Sequence, residues 1–490
     1  MGRLSCGVAA GHALTVDAAL EALKDGGSAV DAAIAGLWTA CVCEPVLASP
    51  GGGGFMTVGV GARTDCLDFF VETPNERPSG RIDAHGIEAD FGNATQAFTI
   101  GAGTSAVPGM VPGLFAAHAR YGRLPMKALV AYAASAARDG VRLTAYQAYL
   151  ISVVSPILTA TKGAKALFAG PDGEGTLGEG ALFHNSDLAD ALEEIAGEGE
   201  ASVHDGEIAR LMLRAQEDGG VLTAAALSGY RPVWRDPIAE KIAGHTVYLN
   251  PPPSAGGTLI GHMIEGNGGA ADGPSMAAAM ARTDTAWTGA GRSLDRFLGK
   301  DVRRRSAPRG TTHISVVDRD GMAVAITVSN GEGNGIVVPG CGFMINNMLG
   351  EDDVNPAGPE DWTPGIRLSS MMAPTLARRA DGAITVLGSG GSNRIRSAIY
   401  QVLMRHLAGG LPLQAAVEAP RLHVEDGFLD FEEGLPGGER DRLIDRFRDH
   451  RTWDEPNMFF GGVHAVECLP DGHVEGAGDP RRAGVFQGLA

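Results

Sequence analysis

The residue pair Gly310-Thr311 has the clearest chemical potential in this sequence. A threonine hydroxyl is a poor nucleophile until a base removes its proton. A free α-amine, with a pKa of about 7.7–8.0, is a base that the same residue carries when it is the first of a chain. The pair therefore predicts a precursor that is cut between Gly310 and Thr311. Because glycine has no side chain, the Thr311 hydroxyl could reach the Gly310 carbonyl and drive an N-to-O acyl shift.

The residues after Thr311 predict a β-hairpin that brings a second hydroxyl to the same place. Thr311–Val317 and Met322–Val328 are β-rich, and Asp320-Gly321 between them is a strong turn pair. A two-residue turn would pair the residue after Thr311 with Ser329, whereas a slip of one residue would pair Thr311 itself with Ser329. In either register the Ser329 hydroxyl is expected close to Thr311.

The rest of the chain predicts helices and strands that alternate around this hairpin. The helical patterns are Thr15–Asp25, Asp31–Cys43, most of Gly113–Ile195, and Ile395–Leu407, and the strand patterns are Phe55–Val60, Thr385–Leu387 and Phe459–Glu467. Four glycines at 51–54 suit either a close approach of the backbone to another group or a flexible turn. Polar, Gly-rich sequence from Gly266 to Gly310 predicts an exposed, mobile linker. The pattern as a whole indicates a layered α/β or α+β domain.

Composition excludes several classes of function. The 490 residues carry a formal net charge of −18 with both signs interspersed, which argues against a nucleic-acid partner. No apolar run approaches the roughly 18 residues of a membrane helix, and Met1–Leu14 lacks a secretory apolar segment, so a cytoplasmic location is expected. The six cysteines show no CxxC pair, and the thirteen histidines form no HExxH motif. Disulfides, structural zinc and a metal-dependent amidase are therefore not expected.

A series of motifs in the same order resembles the γ-glutamyltranspeptidase family of the Ntn-hydrolase superfamily. The resemblance runs from near the N-terminus to beyond Arg421 and is carried by Gly26–Ala33, Gly51–Met56, Val107–Gly109, Pro251–Gly257, Thr311–Asp318, Asn346-Asn347, Ser369–Met371 and Gly388–Gly391. No motif alone is decisive, but the ordered set is specific.

The resemblance implies an α+β fold, a four-layer αββα sandwich formed by two fragments of one autocleaved precursor. Residues 1–310 would form a large fragment, with the helical scaffold, part of the sheets and the mobile linker, and residues 311–490 a small fragment that stays associated with it. The implied activity is an amide hydrolase or acyltransferase that acts on a γ-glutamyl compound such as glutathione, with water or an amine as acceptor. No cofactor, metal, nucleic acid or membrane is implied.

The resemblance also implies roles for particular residues. Thr311 would be the nucleophile with its freed amine as base, Ser329 would support it, and Gly390 and Gly391 would form the oxyanion hole. The residues implied to bind the substrate are Ser369, Ser370, Glu351 and Asn330.

Two departures from the family pattern affect recognition of the donor. The family has an arginine that grips the donor's α-carboxylate, and Val71 stands in its place, with Arg77 nearby as a candidate replacement. Met348 stands where a polar residue helps to hold the donor's α-amino group, while Glu351 matches the acid. The sequence therefore retains the catalytic residues while donor recognition is altered, and an acylase for a non-glutamyl substrate is the alternative.

Other interpretations of the sequence have less support. His313 is two residues from Thr311, yet on a strand it is expected to serve packing and not acid–base chemistry. The glycines of Gly331–Gly335 lack the GxGxxG spacing of a dinucleotide site. An uncleaved, non-catalytic metabolite-binding protein is the rival from another class, but retention of Thr311, Ser329 and both oxyanion glycines argues against it.

Overall fold

The computed structural model describes residues 5–90, 95–298, 310–351, 354–355 and 358–490. The strands, numbered in chain order, are β1 Cys6–Ala10, β2 Gly53–Val60, β3 Arg63–Phe69, β4 His85–Asp90, β5 Thr95–Ile100, β6 Val141–Arg142, β7 Leu182–Phe183, β8 Val233–Arg235, β9 Ile238–Ile242, β10 His245–Leu249, β11 Thr312–Val317, β12 Ala323–Ser329, β13 Thr375–Arg378, β14 Ile384–Gly390, β15 Leu422–Glu425, β16 Phe428–Glu432, β17 His450–Trp453, β18 Gly462–Cys468, β19 Val474–Ala477 and β20 Val485–Leu489.

The α-helices are α1 Ala13–Lys24, α2 Ala29–Cys43, α3 Met110–Tyr121, α4 Met126–Asp139, α5 Ala145–Val153, α6 Ser155–Leu158, α7 Lys162–Phe168, α8 Ser186–Glu198, α9 Ala201–His204, α10 Glu207–Arg214, α11 Ala224–Gly229, α12 Ala255–Asn267, α13 Gly273–Gly289, α14 Leu294–Phe297, α15 Arg394–Leu403, α16 Leu413–Glu418 and α17 Gly437–Arg446. The predicted helix at 395–407 is α15 together with the π-helical turn Met404–Ala408 that continues it. None of the helices in the described residues is long and apolar enough to cross a membrane.

Two antiparallel sheets form the centre of the molecule. The first has seven strands in the order β20-β1-β11-β12-β2-β3-β8, and the second has six in the order β19-β18-β14-β13-β10-β9. Strand β11, which begins directly after Thr311, lies in the interior of the first sheet between β1 and β12. The nucleophile candidate is therefore attached to one of the best-anchored strands of the fold.

The sheets pack face to face, and helices cover both outer faces. Small and branched side chains fill the space between the sheets, among them Ala9, Ala325, Leu376, Val386 and Val466. Helices α1 and α2 pack on the first sheet, and α12 and α15 pack on the second. Both β11 and β12 are buried along their whole length, and the polar side chains of β11 therefore need hydrogen-bond partners inside the fold.

The hairpin β11–β12 forms in one of the two predicted registers. Thr312 lies opposite Val328, which places Thr311 opposite Ser329. The prediction of a two-residue turn is wrong. The hairpin is closed one residue further out, where the Asp318 N–H donates to the Met322 carbonyl at 3.0 Å. The Asp318 carboxylate also accepts the N–H of Met322 at 2.9 Å, which stabilises the wider turn.

The glycines at 51–54 are places of close backbone approach, which was one of the two predicted explanations. A Cβ built on Gly52 would lie 2.4 Å from the Ser329 carbonyl oxygen, and one on Gly54 would lie 2.2 Å from the Thr327 carbonyl oxygen. Only glycine lets β2 and its preceding turn come this close to β12. The glycines at 51–54 therefore pack tightly against β12, the strand that carries Ser329.

The predicted linker from Gly266 to Gly310 is wrong for its first part. Residues 273–289 form α13, which begins at the capping residue Asp272 and buries Met276, Met280 and Trp287. Four glycines from Gly266 to Gly273 suggested a loop, but Gly266 lies within α12, Gly273 begins α13, and only Gly268 and Gly269 lie between the two helices. The end of the predicted linker, 299–309, lies outside the described residues.

Candidate active site

Thr311 and Ser329 meet at the junction between Gly310 and β11. Both side chains are almost fully buried, with 4% and 3% of their surface exposed, and both line one small cavity of about 20 Å³. The Ser329 hydroxyl donates a hydrogen bond of 2.5 Å to the Gly310 carbonyl oxygen and accepts one of 3.0 Å from the Gly331 N–H. A hydroxyl fixed in this way faces the peptide bond that the sequence predicts to be cut.

Gly390, the last residue of β14 in the second sheet, lies against Thr311, and Gly391 follows it and lies against Gly461. A Cβ built on Gly390 would stand 2.2 Å from the Thr311 carbonyl oxygen, so only a glycine fits at the end of β14. Gly391 has a φ of +119°, a conformation that L side chains rarely adopt. The buried Arg482 guanidinium packs on both glycines, since a Cβ built on either one would lie 3.1 Å from it. The structure thus brings together all four residues predicted to be catalytic.

The walls of the nucleophile cavity are predominantly apolar. Beside Thr311 and Ser329 they comprise Phe70, Met348, Ser370, Met371, Met372, Ser392 and Ile395. Val71 is fully buried in the same hydrophobic cluster as Phe70 and Met348. Of the two positions at which the sequence departs from its family, Met348 lines the cavity, whereas Val71 lies in the hydrophobic core next to the wall residue Phe70.

Ser369 and Ser370 lie near this cavity, but their hydroxyls have backbone partners. The Ser369 hydroxyl donates to the Pro253 carbonyl at 3.0 Å, and the Ser370 hydroxyl accepts the Met372 N–H at 3.1 Å. Ser370 lines the nucleophile cavity, whereas Ser369 lines only a larger neighbouring cavity. Their part in carboxylate binding stays a prediction.

Glu351 and Asn330 flank the chain just beyond Ser329. The Glu351 carboxylate lies against Gly331, where a Cβ would stand only 2.0 Å from its Oε1 atom. Asn330 turns its side chain towards the Met344 carbonyl, 3.4 Å away, and lines a separate cavity with Ser49. Neither residue lines the nucleophile cavity, so their role in substrate binding also stays a prediction.

Arg77 does not take the place of the arginine that Val71 replaces. Its guanidinium donates to the Trp362 carbonyl at 2.8 Å, forms an ion pair of 2.5 Å with Asp361, and lies over the Trp362 ring. The side chain is 45% exposed and lines none of the cavities around Thr311. Arg77 is close to Val71 in sequence, but the chain turns towards Trp362 after Pro74 and takes Arg77 with it.

A larger cavity of about 360 Å³ adjoins the nucleophile cavity through Ser370 and Met371, which line both. Its wall includes Arg235, Arg292 and Arg367. Each of these guanidinium groups is ion-paired, Arg235 with Asp68, Arg367 with Asp68 and Glu72, and Arg292 with Asp426. Their charges are thereby compensated, so this wall does not restore the lost clamp for a donor carboxylate.

A buried polar cluster lies behind the nucleophile strand. The Glu44 carboxylate, at the end of α2, accepts hydrogen bonds from the Thr312 hydroxyl at 2.9 Å and the Thr15 hydroxyl at 3.2 Å. Burial raises the pKa of Glu44 to about 7, although both hydroxyls and Arg482 act in the opposite direction. This cluster fixes the residue next to Thr311.

His313 is a packing residue, as predicted. Its ring bonds with the hydroxyls of Thr327 at 2.7 Å and Ser315 at 2.9 Å, and it lies between the two sheets. Burial holds the pKa of His313 well below its usual value, so the imidazole is neutral at ordinary pH. No group of three or more potential metal ligands occurs in the described part of the chain.

Sequence reasoning missed Glu332, which contacts the predicted cleavage junction. Its carboxylate accepts the Gly310 N–H at 2.9 Å, and the residue is 6% exposed. The available signal was an acid between Gly331 and Gly333, three residues after Ser329. Glycines on both sides indicate a tight return of the chain, but not the segment to which it returns.

Comparison with known proteins shows the family of this chain. The chain matches the description "Gamma-glutamyltranspeptidase" over residues 15–267 and 278–489, and it belongs to that family. It is 29% identical to a glutathione hydrolase proenzyme of Pseudomonas aeruginosa, over 95% of this chain and 91% of the relative. It is equally 29% identical to an Acylase ACY 1 proenzyme of Pseudomonas sp. (strain V22), over 96% of this chain and 91% of the relative.

A solved structure shares the fold over nearly the whole length of both chains. The cephalosporin acylase from Bacillus halodurans superposes with a TM-score of 0.84 at 23% identity, covering 100% of this chain and 96% of the other. The chain is therefore similar both to glutathione hydrolases and to acylases, and its family is that of the γ-glutamyltranspeptidases.

Proposed function

We propose that this protein is a self-processing Ntn amide hydrolase or acyltransferase whose nucleophile is Thr311. The observation that carries the proposal is the junction itself. Thr311 directly precedes an interior strand, the Ser329 hydroxyl is bonded to the Gly310 carbonyl oxygen, and Gly390 lies against the Thr311 carbonyl. Membership of a family whose relatives include proenzymes supports the same conclusion.

In the proposed self-cleavage, the Thr311 hydroxyl oxygen adds to the Gly310 carbonyl carbon. Ser329 stabilises the charge that develops on the carbonyl oxygen. The carbon–nitrogen bond then breaks, the hydroxyl proton goes to the Thr311 nitrogen, and an ester remains. Water hydrolyses the ester, which leaves a Gly310 carboxylate and a Thr311 residue with a free amine and a free hydroxyl. The products would be fragments 1–310 and 311–490.

In the proposed catalytic cycle, the freed amine accepts the Thr311 hydroxyl proton while the oxygen attacks the amide of the substrate. The N–H groups at Gly390 and Gly391 would stabilise the tetrahedral intermediate, with each donor contributing about 3–4 kcal/mol. The ammonium returns the proton to the leaving amine, and water or an amine acceptor then releases the acyl group. The packing of helices on both outer faces of two stacked sheets supports the αββα arrangement that this chemistry uses in its superfamily.

The proposal is tested by the intact mass of the purified protein and by N-terminal sequencing of its fragments. We expect a fragment that begins at Thr311, and we expect the Thr311→Ala variant to remain one chain of 50.6 kDa. A wild-type chain that stays uncut would overturn the proposal and favour a non-catalytic protein that binds a metabolite in the cleft.

The acyl group separates two candidates. A γ-glutamyl amide is the substrate implied by the family, but an acylase for an apolar acyl group is favoured by the cavity wall of Phe70 and Met348 and by the buried Val71 that replaces the family's arginine. Burying an α-ammonium and an α-carboxylate against such a wall without partners is costly. An uncharged acyl chain would lose no such hydration.

The two candidates are distinguished with a matched pair of 4-nitroanilides, γ-glutamyl and pentanoyl, which have the same five-carbon acyl chain. The acylase candidate predicts a higher kcat/KM for the pentanoyl compound. It also predicts that Met348→Gln shifts the ratio of the two kcat/KM values towards γ-glutamyl by about tenfold, the effect of one hydrogen bond to a charged group. Met372→Gln, in another wall of the cavity, is the control. A strong preference for γ-glutamyl in the wild type would reject the acylase candidate.

A further inference from the structure

Two hydrogen bonds hold Gly310, one at its carbonyl oxygen and one at its N–H. The Ser329 hydroxyl donates to its carbonyl oxygen at 2.5 Å, and the Glu332 carboxylate accepts its N–H at 2.9 Å. From this geometry we propose that Glu332 is a positioning residue for self-cleavage, which orients the Gly310 carbonyl for attack by Thr311. The inference rests on the proposed function, since it concerns the same junction.

Glu332 is itself held in place by the turn that follows β12. Its N–H donates to the Asn347 side-chain oxygen at 3.1 Å, and the Gly333 N–H donates to the Asn330 carbonyl at 3.2 Å. Gly331 and Gly333 have φ angles of +62° and +89°, which a residue with a side chain would rarely adopt. This backbone folds residue 332 back towards the junction, so its carboxylate is a fixed acceptor and not a mobile surface acid.

Gly310 needs such restraint more than any other residue type would. Glycine has access to a wide range of φ and ψ, and each wrong rotation turns its carbonyl carbon away from the Thr311 hydroxyl. A charge-assisted bond to the N–H and a hydroxyl bond to the carbonyl oxygen together fix the plane of attack. The confined space acts in the same direction, because a Cβ on Gly310 would lie 3.0 Å from the Gly331 carbonyl oxygen.

Glu332 differs from Ser329 in what it does to the reaction. Ser329 contacts the oxygen on which negative charge develops, and its loss removes stabilisation of the transition state. Glu332 contacts the N–H on the far side of the Gly310 α-carbon, so it acts on the orientation of the reacting group. A neutral side chain that accepts the same hydrogen bond should therefore suffice, whereas one without an acceptor should not.

The experiment measures the rate of cleavage of full-length precursors made by cell-free translation with labelled methionine. The chase is followed on denaturing gels for the wild type, Glu332→Gln, Glu332→Ala and Val337→Ala. Val337 is the control because it lies on the same loop, packs on a neighbouring cluster and pairs with Met344 without contact to Gly310. Melting temperatures of the same variants in the uncleavable Thr311→Ala background report the loss of stability separately.

We expect Glu332→Ala to slow cleavage by about tenfold or more, the kinetic equivalent of losing one hydrogen bond to a charged acceptor. Glu332→Gln should cleave within about threefold of the wild type, because its side-chain oxygen still accepts the Gly310 N–H. The inference is overturned by an alanine variant as fast as the wild type, by a glutamine variant as slow as the alanine variant, or by equal slowing in Val337→Ala at an equal loss of melting temperature. A wild-type chain that is never cut after Gly310 would instead reject the proposed function itself.

Discussion

At the scale of the residue, Ser329 connects the predicted chemistry to the observed geometry. Its hydroxyl donates a hydrogen bond to the Gly310 carbonyl and accepts one from the Gly331 N–H. The Gly331 N–H therefore orients the hydroxyl so that its proton points at the carbonyl. Ser329 is the donor best placed to stabilise the oxyanion of self-cleavage.

We predict that Ser329→Ala slows self-cleavage by about 100-fold, the usual effect of removing one oxyanion donor. Ser329→Thr keeps the hydroxyl and should cleave within about tenfold of the wild type. The measurement is the first-order rate at which the precursor disappears on denaturing gels. Unchanged cleavage in the alanine variant would show that the bond to the Gly310 carbonyl has no role in the reaction.

At the scale of the element, Glu44 joins α2 to the nucleophile strand and to α1. The carboxylate lies at the end of α2 and accepts hydrogen bonds from Thr312 on β11 and from Thr15 on α1. Because the group is fully buried, its pKa rises from 4.5 to about 7. The junction of three elements therefore contains an acid that is protonated more readily in the folded than in the unfolded chain.

This difference predicts a defined pH dependence of stability. Below pH 4.5 the Glu44 carboxyl is neutral in both the folded and the unfolded chain. Between about pH 4.5 and 7 it ionises in the unfolded chain only, which favours unfolding. The contribution of Glu44 to stability is therefore lost as pH rises to about 7. The Glu44→Gln variant cannot ionise. We predict that its unfolding free energy, relative to the parent, rises over this interval by up to about 3 kcal/mol and is constant above it.

The measurement is urea unfolding of Thr311→Ala precursors with and without Glu44→Gln at several pH values between 4 and 8. The Thr311→Ala background removes any effect of cleavage. The other titrating groups cancel in the difference between the two chains. A difference independent of pH would mean that Glu44 does not titrate differently in the folded state.

At the scale of the whole molecule, the first sheet explains how a cut chain would hold together. Strands β1, β2, β3 and β8 come from residues before Gly310, and β11, β12 and β20 come from residues after it. The pairs β1–β11, β12–β2 and β1–β20 all cross the junction in sequence. The pair β10–β13 crosses the junction in the second sheet, so the proposed fragments would share both sheets.

We predict that the two fragments co-purify as a heterodimer with the mass of the uncut chain. Gel filtration with native mass spectrometry should give one species near 50.6 kDa, which a denaturing gel resolves into two bands. The physical reason is that separating the fragments would break four strand pairs, the three above and β10–β13 of the second sheet, and would expose the apolar space between the sheets. Fragments that separate without denaturant would contradict this prediction.

A cytoplasmic location remains a prediction that fractionation of the source cells would test.

The local patterns of the sequence predicted several of the helices and strands that carry the site. Periodicity predicted α1 and α2 to within a few residues. The capping box of Ser28 and Asp31, which the prediction did not use, begins α2 at Ala29 and not at Asp31. β-Rich composition on both sides of the turn pair Asp320-Gly321 predicted β11 and β12. The motif order identified the family, and with it the positions of Thr311, Ser329, Gly390 and Gly391, which the structure brings together.

Only the tertiary structure decided what surrounds these residues. The register that places Thr311 opposite Ser329, the path of Arg77 to Trp362, the burial of α13 and the contact from Glu332 to Gly310 all depend on packing between distant segments. Periodicity reports which face of an element is buried, but not which neighbour buries it. The sequence by itself therefore determined the candidate nucleophile and the elements that carry it, whereas the packing of two sheets and their helices decided the restraint on Gly310 and the apolar wall around Thr311.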